Sequence, residues 1–304
     1  MESADIKDKA LEIHRRLCRA YGCPIAYFHA LDPVSELVSS LLSHRTRNRD
    51  SGRAFKALRA RFPEWAAVVA APVAEVEEAI AGVTWPEQKA PRIQAVLRAV
   101  EAARGELSLD FLADLPVEEA RAWLERLPGI GPKTSAAVLS FSVLRRPALP
   151  VDSHHHRVAA RTGLIPASLP VGPAHRVLAA QLPPEWDAQQ VYDNHEVLML
   201  HGQRCCFFRK PACARCVLLD LCPTGRSNMH HTPQDALTDT RPRTPDDAPP
   251  QSPPRARPES PSQAHPCARE GTPSAATHAG DVAVPRAREG AEGAAEGDPA
   301  QAPA

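Results

Sequence analysis

The sequence predicts an all-α fold over residues 1–222, followed by a disordered tail at 223–304. Three observations predict it. Apolar residues recur at helical spacing along the first 222 positions, and alternating Val, Ile and Thr runs that would signal a sheet are absent there. Residues 223–304 hold 15 of the 32 prolines, and Met229 and Leu237 are their only Leu, Ile, Met or aromatic side chains. Such a segment buries too little apolar surface to offset its ordering entropy, so a solvated appendage or a partner-docking arm is expected.

Length and charge bound the remaining possibilities. The 304 residues allow one or two domains, and 36 Lys and Arg balance 36 Asp and Glu. The balance hides an asymmetry, with 8 Arg and 11 acidic residues in the tail. The longest apolar stretches, such as AAVLSFSVL at 136–144, fall short of the ~20 residues that span a bilayer, so no membrane partner is expected. The N-terminal MESADIKDKALEIHRR is charged and helix-like without an apolar signal region, and the protein is read as intracellular, in the cytoplasm.

The elements follow in order. In VSELVSSLLSH, Val34, Leu37, Val38, Leu41 and Leu42 form one apolar stripe, and Pro33 suits a first helical turn. RDSGRAFKALRARF, AEVEEAIAGV, PRIQAVLRAVEAA and VEEARAWLERL continue the pattern, with breakers at Pro63, Pro72, Gly82, Pro86 and Gly105. Short loops imply antiparallel neighbours, and no fixed-period repeat suggests a solenoid.

In LERLPGIGPKTSAAVLSFSV a helix is expected to end at Leu127 and another to begin near Pro132, a helix-hairpin-helix signature. Gly129 and Gly131 let the backbone approach a ligand, and helix-start amides donate to anions, so a DNA phosphate fits. Such contacts position a protein on DNA without reading its sequence. An ordinary helical hairpin closed by glycines is the alternative on these residues alone.

Cys206, Cys213, Cys216 and Cys222 are spaced C-x6-C-x2-C-x5-C, which points to a metal site rather than to disulfides. Zinc usually takes two close cysteine pairs, whereas only one C-x2-C pair is present, so a [4Fe-4S] cluster is the better fit and zinc the alternative. Cys205 would give an x7 spacing, and Cys18, Cys23 and Cys267 read as ordinary thiols. Arg204, Arg209, Lys210 and Arg215 interleave the ligands as cations for a negative cluster or for phosphates.

Taken together, LPGIGPKT, then VDSHHHRV, then HG with the four-cysteine run resemble the endonuclease III group of helix-hairpin-helix DNA glycosylases, over roughly residues 30–222. The resemblance implies two helical lobes, a six-helix barrel at 35–145 and a cluster lobe made of 1–34 with 146–222, with DNA between them. It also implies that Lys133 is the catalytic lysine and Asp152 the catalytic aspartate. The chemistry asks for such a pair: a nucleophile at C1′ and an anion for the oxocarbenium-like charge. The implied enzyme is a bifunctional glycosylase and abasic-site lyase that removes oxidised pyrimidines from duplex DNA as a monomer. Capping the helix at SHHHRVAARTG is a second role open to Asp152.

His154, His155 and His156 cannot chelate one ion together, because adjacent helical residues point about 100° apart. The family places a histidine at His154, near the aspartate and the DNA; the other two are expected to face DNA or solvent. A residue that fills the gap left by an extruded nucleotide is sought in SHRTRN at 43–48. Family members commonly carry glutamine there, whereas this chain has His44, Arg45 and Thr46; Arg45 and Thr46 are expected to contact DNA, with Arg45 able to stack as a wedge. Arg45, Arg47 and Arg49 form a basic run that also suits a solvated helix end. Pro132 replaces a common basic residue and removes a backbone donor. The alternatives are a mismatch thymine or uracil glycosylase, since pocket residues decide lesion choice; the related adenine glycosylase, against which count Lys133 and the tail in place of a folded C-terminal domain; and a non-catalytic iron-sulfur DNA-binding protein, which Lys133 and Asp152 disfavour.

Overall fold

The computed structural model describes residues 3–230. Within them the regular structure is helical throughout. The α-helices are α1 (Ser3–Tyr21), α2 (Pro33–Ser43), α3 (Asn48–Arg61), α4 (Trp65–Ala70), α5 (Val73–Ala79), α6 (Pro86–Arg104), α7 (Val117–Glu125), α8 (Pro132–Phe141), α9 (Ser153–Thr162), α10 (Val171–Ala179), α11 (Ala188–Arg204) and α12 (Pro223–His230).

Local chemistry sets several of these boundaries. Asp32 caps α2 by accepting from the Ser35 amide at 2.9 Å, with Pro33 in the first turn as expected. α11 opens on a capping box in which Asp187 and Gln190 satisfy each other's backbone donors. α6 starts at Pro86, earlier than the expected helix at Pro91, and runs through Pro91. Pro91 leaves the Glu87 carbonyl, one turn earlier, without its intrahelical donor.

Buried apolar side chains form two large clusters. One lies between Val34 and Ala148 and includes Leu37, Leu41, Leu58, Ile93, Leu97 and Leu139. The other joins α1, through Ile13 and Leu17, to residues 149–218. A smaller group of Ala137, Phe141 and Tyr192 joins α8 to α11. The helix pairs α2–α8 and α9–α11 pack against each other, which sets α8 and the start of α9 around one site.

Two expectations are corrected. The tail was expected to be disordered from 223, yet Pro223–His230 form α12. This helix packs on α9, and the Gly225 amide reaches Cys222 Sγ at 3.2 Å, so contacts with neighbours order what its composition would not. The rest of the tail, 231–304 with Cys267, lies outside the described residues. Cys18 and Cys23, read as ordinary thiols, form a disulfide with Cα atoms 5.0 Å apart. Gly22, at φ +84°, reverses the chain after α1 and returns Cys23 to the helix end. Among the described residues, no helix is long and apolar enough to cross a membrane.

Candidate active site and cysteine cavity

The hairpin connects α7 to α8 through Pro128, Gly129, Ile130 and Gly131. Gly129 has φ +75°, a left-handed conformation that side chains resist, and a β-carbon there would press on Arg92 at 3.3 Å. Gly131 is extended and caps α8, its carbonyl accepting from Thr134 at 2.9 Å and Ser135 at 3.0 Å. Ile130 is buried and anchors the turn. Lys133 follows in the first turn, part of its surface still reaching solvent.

Burial around the Lys133 ammonium pushes its pKa below the ordinary lysine value, and the charges of Glu36 and then Asp152 act in the opposite direction. Asp152 caps α9, its Oδ1 accepting from the His155 amide at 2.7 Å. The structure therefore gives Asp152 the capping role and also brings its charge to bear on Lys133. His44 and His195 face the same site and are each pushed down to about 4, mainly by burial, so both are neutral at pH 7. Glu196 is pushed up to about 7 by burial and the neighbouring Asp152 and Asp193.

The 43–48 segment is held from beneath. Buried Lys89 donates to the carbonyls of Leu42 at 2.6 Å and His44 at 2.8 Å and to Thr46 Oγ1 at 2.8 Å. Thr84 donates through its amide to Thr46 Oγ1 and through its hydroxyl to the Arg45 carbonyl. Thr46 is thus engaged inside the protein, while Arg45 is exposed with its guanidinium 5.6 Å from the centre of the Trp85 ring. Both Arg45 and Trp85 have left-handed backbones, at φ 51° and 57°. His44 Nε2 lies 3.1 Å from Thr134 Oγ1, tying this segment to the hairpin helix.

His154 accepts from Arg157 at its Nδ1 and packs on Gly202. His155, expected to face DNA or solvent, is instead buried, because it stacks on His195 between α9 and α11. His156 Nε2 lies 2.8 Å from the Leu169 carbonyl. The three histidines thus point to three different environments.

All four spaced cysteines line one cavity, joined there by Cys205, Arg161, His201, Gly225 and Asn228. Each of the four sulfurs has an N–H partner: Arg161 at Cys206 (3.4 Å), Asn228 at Cys213 (3.6 Å), the Leu218 amide at Cys216 (3.4 Å) and the Gly225 amide at Cys222 (3.2 Å). Donors directed at sulfur stabilise thiolates and suit a metal-bound cysteine set. The described donors that come within 4.8 Å of one another as a trio are His201, Cys205 and Cys216. Four sulfurs on a single zinc would lie within ~3.8 Å of each other, and the spaced cysteines are not grouped that tightly. The adjacent loop exposes Phe207 and Phe208, with the Phe208 carbonyl held by Arg161 at 2.9 Å.

Sequence reasoning missed Glu36, Lys89, His195 and Glu196. Glu36 left one signal, a Glu-x3-Ser pair set among apolar residues of α2; Lys89 resembles any solvated helix lysine.

Residues 38–178 match the model of the HhH-GPD superfamily of base excision DNA repair proteins. Endonuclease III of Escherichia coli (strain K12) is 32% identical over 217 residues, 71% of this chain and 95% of that one. A protein of Arabidopsis thaliana named for a DNA glycosylase is 34% identical over 169 residues, 56% of each chain. A solved non-covalent endonuclease III–DNA complex shares the fold with TM-score 0.62 and 24% identity, covering 74% of this chain and 98% of that one. The hairpin and the helical fold define a base-excision repair protein, and the chain belongs to the endonuclease III-type family of helix-hairpin-helix DNA glycosylases.

Proposed function

We propose that the protein is a bifunctional DNA glycosylase that excises oxidised pyrimidines and nicks the resulting abasic site. One observation carries this reading: a desolvated lysine, Lys133, stands two residues past the Gly-Ile-Gly turn, in the first turn of α8, with carboxylates acting on its ammonium. Desolvation favours the neutral amine, the form that attacks C1′. Asp152, held by its cap to the His155 amide, stabilises positive charge developing on the sugar. The Lys133 amine forms a Schiff base with the opened sugar, and β-elimination breaks the strand 3′ to the lesion.

Duplex DNA is the partner on this reading. Gly129 and Gly131 bring the hairpin backbone to a phosphate, and exposed Arg45 fills the stack beside the extruded base, with Thr46 and His154 supporting their segments from within. The enzyme acts as a monomer where the chromosome lies. The two apolar clusters support a division into a barrel at 35–145 and a lobe of 1–34 with 146–222, with the DNA cleft between.

Cys206, Cys213, Cys216 and Cys222 would hold a [4Fe-4S] cluster, whose contribution when bound is to close the C-terminal part of the fold around four thiolates. Arg161 orders the loop beside it through the carbonyls of Phe207 and Phe208.

The test is release of thymine glycol from duplex DNA by wild type and Asp152→Asn. Excision by wild type, reduced by orders of magnitude in the variant, is expected, each tenfold being ~1.4 kcal/mol of barrier. Release of thymine or uracil from a G-containing mismatch instead would move the substrate class to mismatched pyrimidines.

A further inference from the structure

His201 lies near the end of α11, 1% exposed, with a partner at each ring nitrogen. Its Nε2 stands 3.4 Å from Cys216 Sγ, and its Nδ1 stands 3.1 Å from the Tyr21 hydroxyl. Main chain fixes the root of the ring, since the His201 carbonyl accepts from the Cys205 amide at 3.0 Å and the Cys206 amide at 2.8 Å. Tyr21 ends α1 inside the short loop that the Cys18–Cys23 disulfide closes, and α1 packs on α11. The Tyr21 ring meets the His201 ring edge-on, with centroids 6.1 Å apart, and the Arg204 guanidinium lies 5.8 Å from the Tyr21 centroid. The imidazole thus bridges two parts of the chain distant in sequence, the end of α1 and the cysteine run.

The protons in this bridge run one way. A metal-bound thiolate sulfur carries no proton and can only accept, so the hydrogen between the two sits on Nε2. An imidazole protonated on Nε2 presents a lone pair at Nδ1, which the phenol O–H fills. We propose that His201, oriented by Tyr21, donates a hydrogen bond to the Cys216 sulfur when that sulfur holds the cluster, and thereby raises the cluster's reduction potential. This inference rests on the reading of the four cysteines as cluster ligands. Reduction places more negative charge on the thiolates, and a donor at sulfur stabilises that charge more in the reduced form than in the oxidised one.

The other donors to sulfur differ in kind. Leu218 and Gly225 reach Cys216 and Cys222 through backbone amides. Arg161 and Asn228 reach Cys206 and Cys213 through side chains less buried than His201. His201 is a buried side chain whose direction a second helix sets, so its donor can be removed, restored or loosened by separate substitutions. It acts through Cys216 as a positioning residue, and no step at the sugar passes through it.

The experiment is a mediated one-electron redox titration of the full-length, cluster-loaded protein, followed by visible absorption, with iron and acid-labile sulfide measured on each sample. His201→Leu removes the donor and is expected to shift the oxidised-to-reduced ratio at a fixed potential about tenfold toward oxidised, a midpoint ~59 mV lower. His201→Gln returns an N–H at similar reach and is expected to recover most of that loss. Tyr21→Phe keeps the ring and removes the hydroxyl, and is expected to shift the ratio the same way by about threefold. A wild-type potential in His201→Leu would overturn the proposal. So would a potential in His201→Gln as low as that of His201→Leu, because packing of the ring would then be the cause. Should His201→Leu hold no iron, an unchanged potential in Tyr21→Phe would overturn it instead. Wild-type protein without iron and sulfide, or with zinc in their place, would sink the cluster reading itself. A loaded wild type whose potential the variants do not move leaves that reading standing and removes only the role of His201.

Discussion

Gly202 on α11 and His154 on α9 touch so closely that a β-carbon at 202 would stand 2.8 Å from His154 Cβ and 3.1 Å from its backbone. Backbone cannot move aside as a side-chain tip can, so Gly202→Ala must spread the two helices. The strain should cost about 1–3 kcal/mol. It should also reach the cysteine cavity, since Arg157 links the Gly202 carbonyl at 2.8 Å to the Cys206 carbonyl at 2.9 Å. Denaturant unfolding of Gly202→Ala checks this, and a midpoint equal to wild type would contradict the contact.

Acid should destabilise the fold before carboxylate titration is complete. His44 and His195 are held down at about 4 by burial, and His155 also lies well below the ordinary histidine value. Between about 6.5 and 4 the unfolded chain takes up protons that these native histidines refuse, so stability falls as pH falls, by up to ~1.4 kcal/mol per pH unit for each proton. Glu196, held up at about 7, works the other way between about 4.5 and 7, because its native form keeps a proton that the unfolded form releases. The histidines outnumber it. Unfolding curves from pH 7 down to about 4.5 should show declining stability, with a shallower decline in His195→Asn; a slope unaffected by that change would refute the assignment.

Ending the chain at 230 and at 222 should give different proteins. The longer form keeps Gly225 and Asn228, whose N–H groups meet Cys222 and Cys213; the shorter loses both. Iron and acid-labile sulfide per protein should match the full chain in the first and fall severalfold in the second. Equal content in both would mean that α12 contributes nothing to the cysteine site.

Much of this organisation was legible in local spacing. Pro33 with the Val34–Leu42 stripe gave α2, and Gly129, Gly131 and the residues after them gave the hairpin, because helix periodicity and turn chemistry act over a few residues. The cysteine run was legible for the same reason. What remained hidden depends on distant partners. α12 is proline-led and polar, and gains its order from Cys222 and α9. Cys18 meets Cys23 only because Gly22 turns the chain back. Cys205, set aside by its spacing, faces the same cavity as Cys206, because the chain tightens after α11 so that both amides reach the His201 carbonyl. Glu36 and Lys89 look like surface charges until α8 and the 43–48 segment close over them.

On the proposed function, Lys133 attacks the sugar. Duplex DNA carrying either thymine glycol or a pre-formed abasic site, incubated with the protein, quenched with borohydride and run on a denaturing gel, tests it most directly. Wild type is expected to give a covalent adduct on both substrates and Lys133→Gln none, although the variant should still bind the DNA. An adduct that persists in Lys133→Gln, or none from wild type on either substrate, would contradict it.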